Sequence, residues 1–300
     1  MNNGLKKKMT GKLKSLFELI KLPLCLYIAF SAIFGFVIAE HDFSFDALAI
    51  GFYVMLLAWG CAVLNNIQDK AYDASFTRTC NRVLPSKKLK DKTALIISLS
   101  CIISGLLGLL FFSINRNQSI EPFLYGILAL VFYNFLYTLM KKHTLLAIIP
   151  GAISGMLPPL IGWSAAGAET LDQKIIIVMM ILGLWQIPHF FLILLKSGRD
   201  PEDTKYPNFK NVFSTTDLKL QILIWCGLYS LSMFFYLILE RGESIFLSAI
   251  IALNALSIIL LTMTIIKDNH KDSVYNKAFA AINISLLIFM AAGIYQHAIY

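Results

Sequence analysis

The chain has 300 residues, of which 57% are hydrophobic and 15% charged, with a mean hydropathy of +0.69 and a formal net charge of +8. A soluble domain of this length would need far more charge to cover its surface, so the composition excludes one and points to many membrane spans. Five scattered cysteines with no CxxC pair exclude a disulfide framework, and the positive balance reads as a membrane topology signal rather than as a nucleic-acid footprint.

In chain order, residues 1–15 form a basic tail, and the segment 5–20 could either lie on the membrane surface as an amphipathic stretch or be an ordinary flank. Nine apolar runs come after it, at 16–39, 44–66, 93–113, 121–140, 145–167, 174–196, 218–239, 245–266 and 277–299. Each clears the roughly 18 residues that cross about 30 Å of hydrocarbon as helix, and none shows the strict alternation of a barrel strand. The first run is basic and then apolar, like a leader, but it is long and eight more spans succeed it, so it reads as a retained helix. The reading is one all-α polytopic membrane domain over 1–300. The connections sort by charge: of 26 lysines and arginines, only Arg116, Lys174 and Arg241 fall on one side. That asymmetry places the N-terminus in the cytoplasm and the C-terminus outside.

Two inner loops, 67–92 and 197–217, mix acidic and basic residues as short connectors need not. Where the second span runs into the first of these, Asn65, Asp69 and Asp73 are spaced i, i+4, i+8 and fall on one helix face. Two carboxylates and an amide at a membrane boundary are costly to desolvate, and a magnesium ion bridging carboxylates to phosphate oxygens would offset that cost. Arg78, Arg82, Lys87 and Lys88 come next, so a diphosphate would meet metal on one side and direct charge pairing on the other. The alternative is a solvated helix end with flanking charges. In the sixth span stands Trp185-Gln186-Ile187-Pro188-His189-Phe190-Phe191, and beyond it Arg199-Asp200-Pro201-Glu202-Asp203. His189 in an apolar run is either a functional intramembrane group or a structural one that bonds a carbonyl freed by Pro188. The small residues Gly151, Ala152, Ser154 and Gly155 suit either close helix packing or the shaping of a cavity. His41 and His270 fall in loops and read as solvated, while His143 and His297 carry no signal.

The string N-x3-D-x3-D-x4-R-T-x2-R resembles the first aspartate-rich motif of the UbiA superfamily of membrane prenyltransferases, and residues 78–86 are similar to its R-T-x-x-R-P-[IL]-P-S stretch, with Val83 for the usual proline. The W-Q-x-P-H-F string resembles a signature of the heme O synthase branch, in which an aspartate follows the histidine by eleven residues and a proline follows that aspartate by seven. Asp200 and Pro207 keep both spacings. Tyr137-Thr138, Lys141-Lys142, Thr144 and the run Gly155 to Trp163 are similar to further blocks of that branch. The chain departs from it at Lys21-Leu22-Pro23, at Ala147 and over 201–208.

The resemblance implies a UbiA-like helical bundle with a cytoplasm-facing cavity. Asp69, Asp73, Asp200 and Asp203 would hold Mg2+, and Asn65 would fix the metal or a phosphate oxygen. Arg78, Arg82, Lys141 and Arg199 would pair with the diphosphate, each being equally readable as a plain topology charge, and Lys142 reads as such a charge. The resemblance further implies farnesyl diphosphate as donor, heme B as acceptor, and His189 as a group that orients heme or moves a proton. It also implies downstream heme-processing or oxidase-assembly proteins as partners, with the lipid bilayer as solvent and no nucleic acid. Two alternatives stay open. One is a prenyltransferase acting on a quinone precursor or other aromatic acceptor, and the other is a transporter or heme-handling protein without catalysis.

Overall fold

The computed structural model describes residues 15–117, 119–196, 207, 209–240, 244–267 and 272–299. Among them every regular element is helical. Nine helices are long and apolar enough to cross a membrane. They are α1 (Leu22–Glu40), α2 (Phe45–Gln68), α4 (Asp91–Asn117), α5 (Glu121–Met140), α6 (Leu145–Ala165), α7 (Gln173–Lys196), α9 (Thr215–Leu239), α10 (Ile245–Lys267) and α11 (Asp272–Ile299). Two short helices lie between them, α3 (Lys70–Ala74) and α8 (Phe209–Val212). The all-α, nine-span expectation is met.

One boundary differs from the hydropathy. The first apolar run does not helix through from residue 16. A short helical turn over 15–19 ends before Lys21, which takes a left-handed conformation (φ 50°, ψ 50°), and α1 starts at Leu22 with Pro23 in its first turn. Proline has no N–H to spend and its fixed φ suits the first turn of a helix, so Pro23 favours a start at Leu22 once Lys21 has broken the turn before it. Hydropathy sees only apolar residues across this point.

Each long helix packs on its sequence neighbours, and α11 returns to α1, so the nine close into a ring. Across the ring α1 also crosses α6, and their backbones nearly touch. A Cβ built on Gly35 would lie 1.9 Å from the Pro159 carbonyl oxygen, and one on Gly162 would lie 1.9 Å from that of Ala32. Both contacts fall in the second half of each helix, so the crossing pinches the end of the bundle where α1 finishes. The outward faces carry Ile96, Phe111, Ile238, Phe246, Leu253 and Leu260 fully against the surroundings, an apolar exterior that suits lipid and not water.

The end of the bundle where α1 finishes is tied by ion pairs. Arg116 at the end of α4 pairs with Glu40 at 2.7 Å and with Asp46, joining α1, α2 and α4. Glu240, just past α9, pairs with Lys174 of α7 at 2.9 Å and meets His297 Nε2 of α11 at 3.2 Å, while Gln296 donates to it at 3.3 Å. Glu240 is 8% and His297 2% exposed, and the His41 ring packs on His297 with centroids 4.8 Å apart. His297, which carries no sequence signal, and His41, read as a solvated loop residue, are therefore both part of this cluster.

Candidate active site

At the opposite end of the bundle α2 stops at Gln68, Asp69 caps it with a nearly helical backbone (φ −93°, ψ −1°), and α3 resumes at once. The i to i+4 backbone bonds run on through the junction, from Asp69 N–H to the Asn65 carbonyl (2.9 Å) and from Asp73 N–H to the Asp69 carbonyl (2.6 Å). The expected shared face therefore survives although the helix is not continuous. Asn65, Asp69 and Asp73 are 3%, 2% and 4% exposed. Asn65 Nδ2 donates to Asp69 Oδ2 at 2.8 Å and to Thr138 Oγ1 at 2.9 Å, which fixes the amide and the carboxylate as a unit.

Four cations converge on this pair. Arg82 grips both oxygens of Asp73 from one guanidinium nitrogen, at 3.0 and 2.8 Å, and Thr79 Oγ1 donates to the Asp73 carbonyl, so the loop after α3 folds back over the carboxylate. Lys141, at the end of α5, pairs with Asp69 Oδ2 and lies 5.2 Å from the centroid of the Tyr137 ring. Lys142 Nζ stands 3.4 Å from Asp69 Oδ1 and donates to the Gln68 carbonyl at 2.7 Å. Lys21 donates to Asn65 Oδ1 at 2.8 Å, and its ammonium is pushed down to about 8, first by burial and then by Lys141 and Arg82. Two carboxylates against four cations leave a net positive pocket, which calls for an anion.

The donor set also fits a hard divalent cation. Asp69 Oδ1 is buried and accepts no hydrogen bond among the described residues. Two carboxylates a helical turn apart, with an amide beside them, offer the oxygen ligands that magnesium shares with phosphate.

A change of helical winding delivers the α5 groups. Over Val131–Tyr137 the helix is π-wound, then regular again over Thr138–Met140. Asn134 inside the π stretch donates to the Cys61 carbonyl at 3.0 Å and to Gln68 Oε1 at 3.1 Å, and Thr138 donates to the Tyr133 carbonyl at 2.8 Å. The wider turn changes the direction in which Thr138 and Lys141 project, relative to an unbroken α-helix, and such stretches concentrate at functional sites.

The second constellation lies on α7 and is described as far as Lys196. The Trp185 and Phe279 rings flank the His189 ring, with centroids 4.6 and 4.7 Å away. His189 Nδ1 is buried and makes no hydrogen bond among the described residues, while the imidazole bonds the Asn283 side chain of α11. Gln186 Nε2 donates to the Ala152 carbonyl at 3.0 Å, tying α7 to the small-residue face of α6, where a Cβ on Gly155 would meet that amide nitrogen at 2.1 Å. The small residues there give room to a neighbouring side chain. Arg199, Asp200 and Asp203 lie outside the described residues, as do the tail 1–14, Arg241 and His270.

The structure thus brings Asn65, Asp69, Asp73, Arg82 and Lys141 together, while Arg78 is exposed. Lys142, read as a plain topology charge, is instead an ion-pair partner of Asp69. Lys21, Asn134 and Thr138 also join this cluster; Thr138 stands in a block that the resemblance marks and Lys21 in one that departs from it, while Asn134 carries no sequence signal beyond a polar side chain within an apolar span.

A family model described as "UbiA prenyltransferase family" matches residues 28–290. The chain is 34% identical over 189 residues to a protoheme IX farnesyltransferase of Geobacter sulfurreducens, covering 63% of this chain and 67% of that one. It is 31% identical over 180 residues to one of Oleidesulfovibrio alaskensis, covering 60% and 62%, so the matched stretch spans about three fifths of that relative's length. Among solved structures it superposes on a digeranylgeranylglyceryl phosphate synthase with a TM-score of 0.72 at 18% identity, covering 96% and 99% of the two chains. It also superposes on a UbiA homolog from Archaeoglobus fulgidus bound to GPP and Mg2+, with a TM-score of 0.66 at 16% identity, covering 95% and 99%. At these identities the structural likeness establishes the fold.

Proposed function

The chain belongs to the UbiA prenyltransferase family, and on that premise we propose that it carries out magnesium-dependent prenyl transfer from farnesyl diphosphate to a vinyl group of heme B, giving heme O. The observation that carries the reading is the pair of buried carboxylates, Asp69 and Asp73, ringed by Lys21, Arg82, Lys141 and Lys142 at the end of a membrane span. The choice of donor and acceptor is supported by the likeness to protoheme IX farnesyltransferases and by the W-Q-x-P-H-F string around His189.

In this mechanism Asp69 and Asp73, with Asp200 and Asp203 from the loop over 197–217, would hold magnesium, and Asn65 orients the Asp69 carboxylate. The bound metal supplies Lewis-acid stabilisation of the departing diphosphate. Lys21, Arg82, Lys141 and Lys142, with Arg78 and Arg199 from the loops, receive the charge that builds on the bridging oxygen as the allylic carbon–oxygen bond breaks. The leaving group takes the electron pair, the freed carbon bonds to the terminal vinyl carbon of heme B, and one water adds to the cation this leaves beside the macrocycle, losing a proton to become the hydroxyl of heme O. The apolar helices around the site exclude the water that would otherwise capture the allylic cation first. His189 faces the acceptor. The domain is one unit, its N-terminus and the Asp69 end of the bundle in the cytoplasm and its C-terminus outside a bacterial-type cell membrane, as the loop charges indicate.

Replacing Asp69 or Asp73 by Asn is expected to lower transfer by at least about a thousandfold, the scale of losing a charged group from such a site, with normal membrane levels. Wild-type turnover by either variant would sink the metal-held diphosphate. The departures over 201–208 favour one second reading, the same transfer onto a quinone precursor or other aromatic acceptor. Membranes given labelled farnesyl diphosphate and either heme B or a hydroxybenzoate separate the two by which acceptor gains label. Magnesium-dependent pyrophosphate release separates both from a non-catalytic transporter.

A further inference from the structure

The proposed reaction needs a second half to its site, and one stripe of α7 carries the groups for it. Trp185, His189 and Lys196 are spaced i, i+4 and i+11, which places them within about 40° of one another around the helix. Two of these rings are set by neighbouring helices. Tyr27 of α1 stacks on Trp185 with centroids 5.6 Å apart and planes 12° from parallel. The Trp185 indole N–H donates to the Ile282 carbonyl at 3.0 Å, and the Tyr27 hydroxyl donates to the Asn283 carbonyl at 2.9 Å, so the polar tips of both rings are already committed to α11. Tyr27 follows Lys21 by six residues, about 9 Å along α1. The aromatic wall and the cationic pocket are therefore within the reach of one pair of reacting molecules.

The His189 imidazole is held by the Asn283 side chain, which leaves only its buried Nδ1 unbonded among the described residues. The Lys196 ammonium lies 4.5 Å from the centroid of the Phe279 ring and has no carboxylate partner among the described residues. Phe279 touches both, its ring meeting the His189 imidazole at 4.7 Å. A cation resting on an aromatic face at a membrane boundary gains modestly from the ring and gains more from a carboxylate.

We infer that Lys196 is a specificity-determining residue of the acceptor site, recognising a carboxylate on the edge of a flat aromatic acceptor that lies along the Trp185, His189 and Phe279 wall. The inference rests on the acceptor reading above, since heme B is a flat macrocycle with two propionate carboxylates. The side chain recognises the acceptor and not the prenyl donor, whose charge is met by the cluster around Asp69. It takes no part in bond making. Its effect falls on acceptor affinity and disappears for an acceptor without free carboxylates.

The test uses the full chain in lipid vesicles with farnesyl diphosphate and magnesium, and heme B or its dimethyl ester as acceptor. Lys196→Gln is expected to raise KM for heme B about tenfold, the scale of one charge-assisted hydrogen bond, and to leave KM for farnesyl diphosphate unchanged. Lys196→Arg restores most of the loss. Wild-type protein given the dimethyl ester shows the same raised KM, to which Lys196→Gln adds nothing. An unchanged KM for heme B in Lys196→Gln overturns the inference. So does a penalty that persists undiminished with the ester, because Lys196 would then act only through its packing on Phe279. A wild-type protein that leaves heme B unfarnesylated fails the acceptor reading and this inference with it, whereas a farnesylating wild type with an indifferent Lys196→Gln fails the inference alone.

Discussion

Lys21 combines two costs, a left-handed backbone and a buried ammonium, and its return is a hydrogen bond to Asn65 and a cation facing the Asp69 and Asp73 pair. A non-glycine residue at positive φ costs about 1 kcal/mol, so Lys21→Gly relieves strain while deleting charge, and Lys21→Met deletes charge alone. Both are expected to raise KM for farnesyl diphosphate about tenfold, with Lys21→Gly melting at least as high as Lys21→Met. Normal diphosphate affinity in both would remove Lys21 from the site. Asp69 and Asp73 were legible in the sequence because their partnership is local, a fixed spacing on one helix. Lys21 and Lys142 were not, because their partners lie 44 and more than 70 residues away, and a lysine beside a span looks the same whether it serves topology or a site. Asp200 and Asp203 are expected through the resemblance alone and lie outside the described residues.

At the scale of elements, the crossing of α1 and α6 depends on two positions where only hydrogen fits. Gly35→Val drives a side chain into the Pro159 carbonyl. It is expected to cost about 3 kcal/mol or more, since backbone must move and not merely a flexible side chain, and thermal unfolding in detergent measures it. Gly227→Ala is the matching control. It lies within α9, nothing stands within 4 Å of the added Cβ, and the better helix former stabilises by roughly 0.5–1 kcal/mol. Helix number and order could be read from hydropathy because each span needs some 18 apolar residues. The break before α1 and the π-wound stretch of α5 could not, because Pro23 is compatible with the first turn of any helix and because the winding of Val131–Tyr137 goes with hydrogen bonds from Asn134 to α2, a contact made only after folding.

For the whole molecule, the two described basic residues on the sparse side, Arg116 and Lys174, are both taken up in ion pairs that join helix ends. Glu240 holds α7, α9 and α11 together there. Burial alone would raise its carboxyl, but hydrogen bonds from His297 and Lys174 outweigh burial and hold it at about 2, against an ordinary 4.5. A carboxyl lowered in the folded state contributes stability that is full above about 4.5 and is lost as pH falls through about 2. Glu240→Gln is expected to destabilise by about 1–3 kcal/mol at neutral pH, because half-buried Lys174 and buried His297 lose the carboxylate that holds them. It should also flatten the acid limb of a stability-against-pH curve over that window, and an unchanged limb would remove Glu240 as its source. The Asp69 end of the bundle has a different history. Asp69 leaves the ribosome 72 residues before Lys141 and more before Lys142, so its carboxylate enters the bilayer boundary with the Asn65 amide beside it but without either lysine until the fourth span is complete. A nascent chain released after Met140 should therefore be short-lived in the membrane compared with one released after Thr144, and a pulse–chase of the two would time the moment at which insertion becomes irreversible.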